Sequence, residues 1–149
     1  QPNAILPFHI ALTAVAYAAF LLAFVTGVLF LVQERSLKKR LVTPLVSALP
    51  SLEITNAVNA RAVMVGFALL TVGIAFGFAR AQILDKPYFS DGRVIGGMIT
   101  WACYGGLTAM RLTRRYHGRS AARMSIWSFA VAAFTLFGAT LLGSGVHHS

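Results

Sequence analysis

Residues 8–40 are FHIALTAVAYAAFLLAFVTGVLFLVQERSLKKR. From Phe8 to Gln33 there is no Asp, Glu, Lys or Arg, and Glu34, Arg35, Lys38, Lys39 and Arg40 then follow within seven residues. An uncharged run of this length exceeds what a helix needs to cross roughly 30 Å of hydrocarbon. A cluster of Lys and Arg at its end holds that end at one membrane face. The stretch therefore predicts a transmembrane helix with a basic, cytoplasmic end.

The same pattern recurs along the chain. Residues 1–33, 62–79, 94–110 and 124–149 all lack charged side chains. The 149-residue chain is 57% hydrophobic and 11% charged, where a soluble domain carries about 25% charged residues. The expectation is an all-α integral membrane protein: one domain over residues 1–149, a four-helix bundle with spans at about 6–33, 60–81, 94–112 and 122–146.

Charge placement orients the bundle. Arg35, Lys38, Lys39, Arg40 and Arg61 lie between the first two spans, and Arg111, Arg114, Arg115, Arg119 and Arg123 lie between the last two. The middle loop has only Arg80, Lys86 and Arg93, offset by Asp85 and Asp91. Excess Lys and Arg mark the cytoplasmic side, so both termini and the middle loop are expected outside. The net charge of +9 then reflects helix ends that meet anionic lipid headgroups, and nucleic acid is not an expected partner.

Between the first two spans, Pro44 and Pro50 interrupt any continuous helix. Short interfacial helices on the cytoplasmic surface fit this segment, with Ser51 as a cap ahead of Leu52 and Glu53. Gly73 and Gly77, four residues apart, put two side-chain-free positions on one helix face, a device for close helix packing. The single cysteine, Cys103, permits neither an internal disulfide nor a CxxCH haem attachment, and is expected to be a small packing residue. The N-terminal span lacks a basic leader and a small-residue cleavage site, so it is taken as a true helix.

The four histidines divide by topology. His117 lies in the basic loop. His9, near the start of the first span, and His147 and His148, at the end of the last, fall on the same membrane face. That arrangement fits an interfacial ring and a loose tail, or two imidazoles meeting at a low-spin haem iron. Mid-span histidine pairs of a membrane cytochrome b are missing. So are the mid-span ionisable residues by which ion pathways declare themselves.

Four stretches are similar to one known group. The first is the quoted 8–40. The second is LPSLEITNAVNARAVMVGFALLTVGIAFGFARAQ (49–82). The third is ITWACYGGLTAMRLTRRYHGRSAARMSIWSFAVAAFTLFG (99–138), and the last is GSGVHHS (143–149). Together they resemble the CcsA/CcmC/HemX group of cytochrome c assembly and haem-handling membrane proteins, over nearly the whole chain. The resemblance implies external haem ligation by His9 and His147, with His148 where the group usually has Ser. It also implies a haem-binding loop between the middle helices, so that Tyr88, Phe89, Asp91, Arg93 and Trp101 become candidate cofactor-binding residues. Haem b is the implied cofactor, with Arg80, Lys86 and Arg93 available to its propionates.

The chain departs from the group in two ways. The loop's tryptophans are missing, with Gly96 at a position usually held by Trp, and the fuller members have more helices. Two functions follow as expectations. One is binding or presenting haem at the outer face, without bond-making catalysis of its own. The other is a degenerate, non-catalytic accessory subunit of a larger membrane complex concerned with cytochrome c assembly or electron transfer. The expected partners are other integral membrane proteins and lipid. The expected location is a bacterial cytoplasmic membrane, with both termini periplasmic.

Overall fold

The computed structural model describes residues 2–40, 44–85, 87, 92–113 and 119–145. Within them the chain is helical, with no strand: α1 (Pro2–Lys38), α2 (Pro44–Ala48), α3 (Leu52–Ile83), α4 (Gly92–Leu112) and α5 (Arg119–Gly145). Four of these helices are long, as the charge-free runs predict. Among the described residues, α1, α3 and the first part of α5 are long and apolar enough to cross a membrane. With 21 residues, α4 reaches about 31 Å at 1.5 Å per residue. It falls outside that set: Arg93 and Arg111 leave 17 residues between them, and four of those are glycine.

Two boundaries differ from expectation for identifiable reasons. The first helix extends beyond residues 6–33 in both directions. Pro7 lies in its second turn, where it removes one intrahelical hydrogen bond without ending the helix, and the basic residues of its last turn suit the negative end of the helix dipole. The second span starts at Leu52 and not near residue 60. Ser51 does cap it: the extended Ser51 (φ −61°, ψ 157°) accepts the Ile54 N–H at 3.3 Å. No Pro or Gly lies between Leu52 and Arg61 to break the helix there, so 52–60 join α3. Among the described residues of that connection, α2, the five residues Pro44–Ala48, is the separate short helix.

Each long helix packs antiparallel to two neighbours, in the ring α1–α3–α4–α5. Along α1 and α3, Thr13 lies against Gly73, Phe20 against Gly66 and Ala23 against Asn59, so the numbering falls on one helix as it rises on the other. Thr71 and Phe67 of α3 meet Trp101 and Gly105 of α4. Gly96 of α4 faces Thr135 of α5, and Gly27 of α1 faces Ala122 of α5. Odd-numbered turns of this ring bring the start of α1 and α4 to the same end as the finish of α3.

At the centre lie Ala16, Phe20, Ala23, Ala62, Val63, Leu70, Tyr104, Leu107 and Ala132. Phe20 stacks on Tyr104, with ring centroids 3.6 Å apart. Its ring also occupies the space above Gly66, where an added Cβ would stand 2.6 Å from Phe20 Cε1. In lipid, association depends on this kind of close packing, since no hydrophobic gain separates helix from tail.

Candidate functional site

A cavity of about 560 Å³ opens at the end of the bundle that holds the start of α1. Its volume lies within the roughly 300–1,000 Å³ range of cofactor and ligand pockets. All four long helices contribute: His9, Thr13 and Tyr17 from α1, Leu70, Ile74 and Arg80 from α3, Arg93, Gly96 and Gly97 from α4, and Thr135 and Leu136 from α5. The wall is mostly apolar, with one imidazole and two guanidinium groups. Antiparallel packing makes this convergence possible, since residues near 9, 80 and 93 are far apart in sequence but lie at helix ends of the same layer.

His9 is fixed from two sides. Its Nδ1 lies 2.6 Å from the carbonyl oxygen of Gly73, on α3. A carbonyl can only accept, so Nδ1 carries the proton in this contact. One turn on, Thr13 donates its hydroxyl to the His9 carbonyl at 2.6 Å. Close approach of α1 to α3 makes the histidine contact possible: a Cβ at Gly73 would already stand 3.2 Å from Thr13 Cγ2.

Arg80 supplies the other telling feature. Its Nε is buried and has no hydrogen-bond partner. Buried polar atoms nearly always have a partner in protein, water or ligand. An orphaned donor on the wall of a cavity that also holds His9 is therefore a position for an acceptor such as a carboxylate. Apolar walls, an imidazole and guanidinium donors are the donor set that a haem with its propionates needs. The residues present fit that group.

Gly96 lines the cavity in tight contact with α5. Its Cβ would meet Thr135 Cβ at 3.0 Å.

The expected site residues are distributed unevenly. His9 and Arg93 are brought together on the cavity wall. Trp101 does not line it: its indole N–H donates to Thr71 Oγ1 at 2.8 Å, and its ring stacks on Phe67 at 5.6 Å, at the α3–α4 seam. Tyr88, Phe89, Asp91 and His147 lie outside the described residues, as do Lys86, His117 and His148.

A second polar centre, which the sequence reading did not find, sits toward the other end of the bundle. Asn59, 1% exposed, donates to the Ala23 carbonyl at 2.7 Å and to Thr26 Oγ1 at 3.2 Å. Its Oδ1 accepts from Arg111 and, at 3.1 Å, from Ser125. All four hydrogen-bonding positions of the amide are filled, one or more from each of α1, α4 and α5. Arg111 also donates to Asn56 Oδ1 at 3.2 Å. Sequence groups Arg111 with the basic residues that meet lipid headgroups, yet it is 7% exposed and turned into the bundle. Asn56 and Asn59, one helical turn apart at the start of a transmembrane helix, are the available signal. Nearby, Gln33 donates to the Pro50 carbonyl and accepts from Thr55 Oγ1 at 3.1 Å, tying the end of α1 to the start of α3.

No solved structure matches the chain. Among curated proteins, it is 29% identical to the cytochrome c biogenesis protein CcsA of Synechococcus sp. (strain CC9902), over 95% of this chain and 54% of that protein. It is 30% identical to the protein of the same name from Synechococcus sp. (strain CC9311), over 95% of this chain and 55% of the relative. The match to the Microcystis aeruginosa CcsA is 31% identical, over 72% of this chain and 35% of the relative. The chain thus spans about half the length of the curated relatives it matches. With the family profile described as cytochrome C assembly protein matching residues 2–147, this helical membrane chain belongs to the cytochrome c assembly protein family.

Proposed function

We propose that this chain is a membrane haem-handling protein of cytochrome c assembly, which binds or presents haem b at the outer face through His9 and His147. The observation that carries the reading is the cavity at one end of the bundle, where His9 and an unpartnered Arg80 Nε share an apolar wall. His9 would hold the iron from α1, and His147, just past the end of α5, would hold it from the other side. Arg80 and Arg93 would take the propionates. Tyr88, Phe89 and Asp91, between α3 and α4, would close the rim, and Trp101 would act by keeping α4 against α3. When bound, the group supplies a redox-active iron; the chain's own residues bind it, orient it and exclude water from it.

The orientation belongs to the same proposal. The three apolar helices and α4 would form four spans, with α2 lying at the cytoplasmic interface. The basic α1–α3 and α4–α5 connections would face the cytoplasm, and both ends of the described chain the periplasm of a bacterial cytoplasmic membrane. Relatives named for cytochrome c biogenesis support the setting, and other membrane proteins of that assembly would be the partners. The test is the absorption spectrum of the detergent-purified chain titrated with haem. A low-spin six-coordinate spectrum near one haem per chain is expected, lost in both His9→Ala and His147→Ala and kept in His117→Ala. Retention of that spectrum in His9→Ala would refute the assignment.

A second reading makes the chain an accessory subunit. Trp127 (72% exposed), Phe134 (80%) and Phe137 (68%) project from one face of α5, at spacings of seven and three residues. Such a face suits a neighbouring membrane helix as well as lipid. Stable co-purification with other membrane chains, without haem in this one, would favour that reading.

A further inference from the structure

We propose that the Gly73 carbonyl is a positioning group for His9: it holds the imidazole in the Nδ1-protonated tautomer and leaves Nε2 as the ring's available lone pair. The inference rests on the reading of His9 as a haem ligand, and it names the ligating atom and the residue that selects it.

The 2.6 Å contact requires a proton on Nδ1. A neutral ring has only one N–H, so Nε2 must then be unprotonated. A ligating histidine usually donates its other N–H in this way, which fixes the tautomer and strengthens the ligand. Here the acceptor is unusual, because Gly73 lies inside the continuous helix α3. Its carbonyl serves the helix ladder through residue 77, and only its second lone pair remains for a side chain from another helix.

Gly73 makes that lone pair reachable. It lets α1 come close enough for Thr13 Cγ2 to stand 3.2 Å from where a Cβ would be. Thr13, whose hydroxyl donates to the His9 carbonyl, sits one turn from His9 and sets the spacing. Gly73, which sequence marks only as a packing device, therefore also presents an acceptor to the His9 ring on the cavity wall.

The test uses the full chain in lipid bilayers, labelled with ¹⁵N-histidine and without haem. Solid-state NMR reads which ring nitrogen of His9 carries the proton, with the signal assigned by its loss in His9→Gln. Nδ1 protonated and Nε2 bare is the expected result; a protonated Nε2, or an averaged mixture, would overturn the proposal.

Gly73→Ala presses its new methyl on Thr13, so the tautomer should become mixed and haem affinity should fall about 10- to 100-fold, the usual effect of losing a partner to a ligating side chain. Thr13→Ser removes the Cγ2 methyl and keeps the hydroxyl. In the double variant, both the tautomer and most of the affinity should return. Unchanged haem affinity and midpoint potential in a folded Gly73→Ala protein would also overturn the proposal. Failure of the haem reading looks different: the Nδ1 proton would be seen in the haem-free protein, yet no haem would bind. That result would remove the positioning role and leave a structural hydrogen bond.

Discussion

Arg111, in the last turn of α4, reaches inward to donate to Asn59 of α3, whose same oxygen also accepts from Ser125 of α5. A guanidinium is thus buried among amides and a hydroxyl, and the described ion pairs, Glu34 with Lys38 and Arg119, do not include it. Asn59 is the centre of this arrangement, because its side chain bonds to each of the other three long helices. Asn59→Leu would leave the Arg111 Nη2 donor without its acceptor and Ser125 with only its bond to the Ala121 carbonyl. We expect a loss of about 1–3 kcal/mol, the cost of leaving buried polar groups unsatisfied. Asn59→Asp should lose less, since the carboxylate still accepts from both. Reversible unfolding in mixed micelles would rank the three proteins, and an Asn59→Leu protein as stable as the parent would show that the network holds nothing together.

The Phe20 ring lies over Gly66 and against Tyr104. Gly66→Ala would place a methyl 2.6 Å from Phe20 Cε1, closer than any side chain tolerates, and Phe20 would have to leave its stack. Overpacking of this kind costs about 1–3 kcal/mol. Combining it with Phe20→Leu should recover part of that loss. Additive losses in the double variant, read from thermal unfolding in detergent, would mean that the two positions are not coupled.

Glu34 accepts from Arg119 Nε at 2.7 Å and pairs with Lys38 at 3.3 Å, linking the end of α1 to the start of α5. Arg119 and Lys38 are 43% and 62% exposed in their side chains. Exposed pairs contribute at most about 1 kcal/mol, so Glu34→Gln should destabilise far less than Asn59→Leu, and its effect should shrink with added salt. A large, salt-insensitive loss would contradict that ordering.

Arg80 gives a prediction about ligand chemistry. If its Nε meets a propionate, Arg80→Met removes a charge-assisted hydrogen bond, worth about 1.5–3 kcal/mol. Haem affinity should weaken about ten- to a hundredfold. Haem dimethyl ester, which lacks the carboxylates, should bind the parent more weakly than haem does, and the gap should narrow in Arg80→Met. Equal discrimination by both proteins would place the carboxylates elsewhere.

Membrane orientation can be tested by labelling. In a Cys103→Ala background, Ser47→Cys in α2 should be shielded from an impermeant thiol reagent added to intact spheroplasts. Gln82→Cys, near the end of α3, should react. The reverse pattern would invert the proposed topology.

Much of the fold is legible in the sequence. Charge-free runs located the four long helices, and Ser51 was identifiable as a cap from its type and place. The join between residues 52–60 and the span after them was less legible, because a polar helix turn at an interface and the first turns of a longer helix share the same composition. At the candidate site, topology grouped His9 with the outer end, and the structure places Arg80 and Arg93 beside it. Trp101 could not be placed from sequence: an indole on α4 can turn to the cavity or to α3, and the Thr71 hydroxyl decides for α3.

By itself, the sequence determined that this chain is a helical membrane protein with its basic residues gathered at two connections. Hydrocarbon length and charge are local properties of a segment, so a segment is enough to read them. Tertiary structure alone decided that Arg111 turns inward and that Gly73 offers a carbonyl to His9. It also decided that Phe20 fills the space over Gly66. Those outcomes depend on how closely antiparallel helices approach and which faces they turn to each other, and no single segment carries that information.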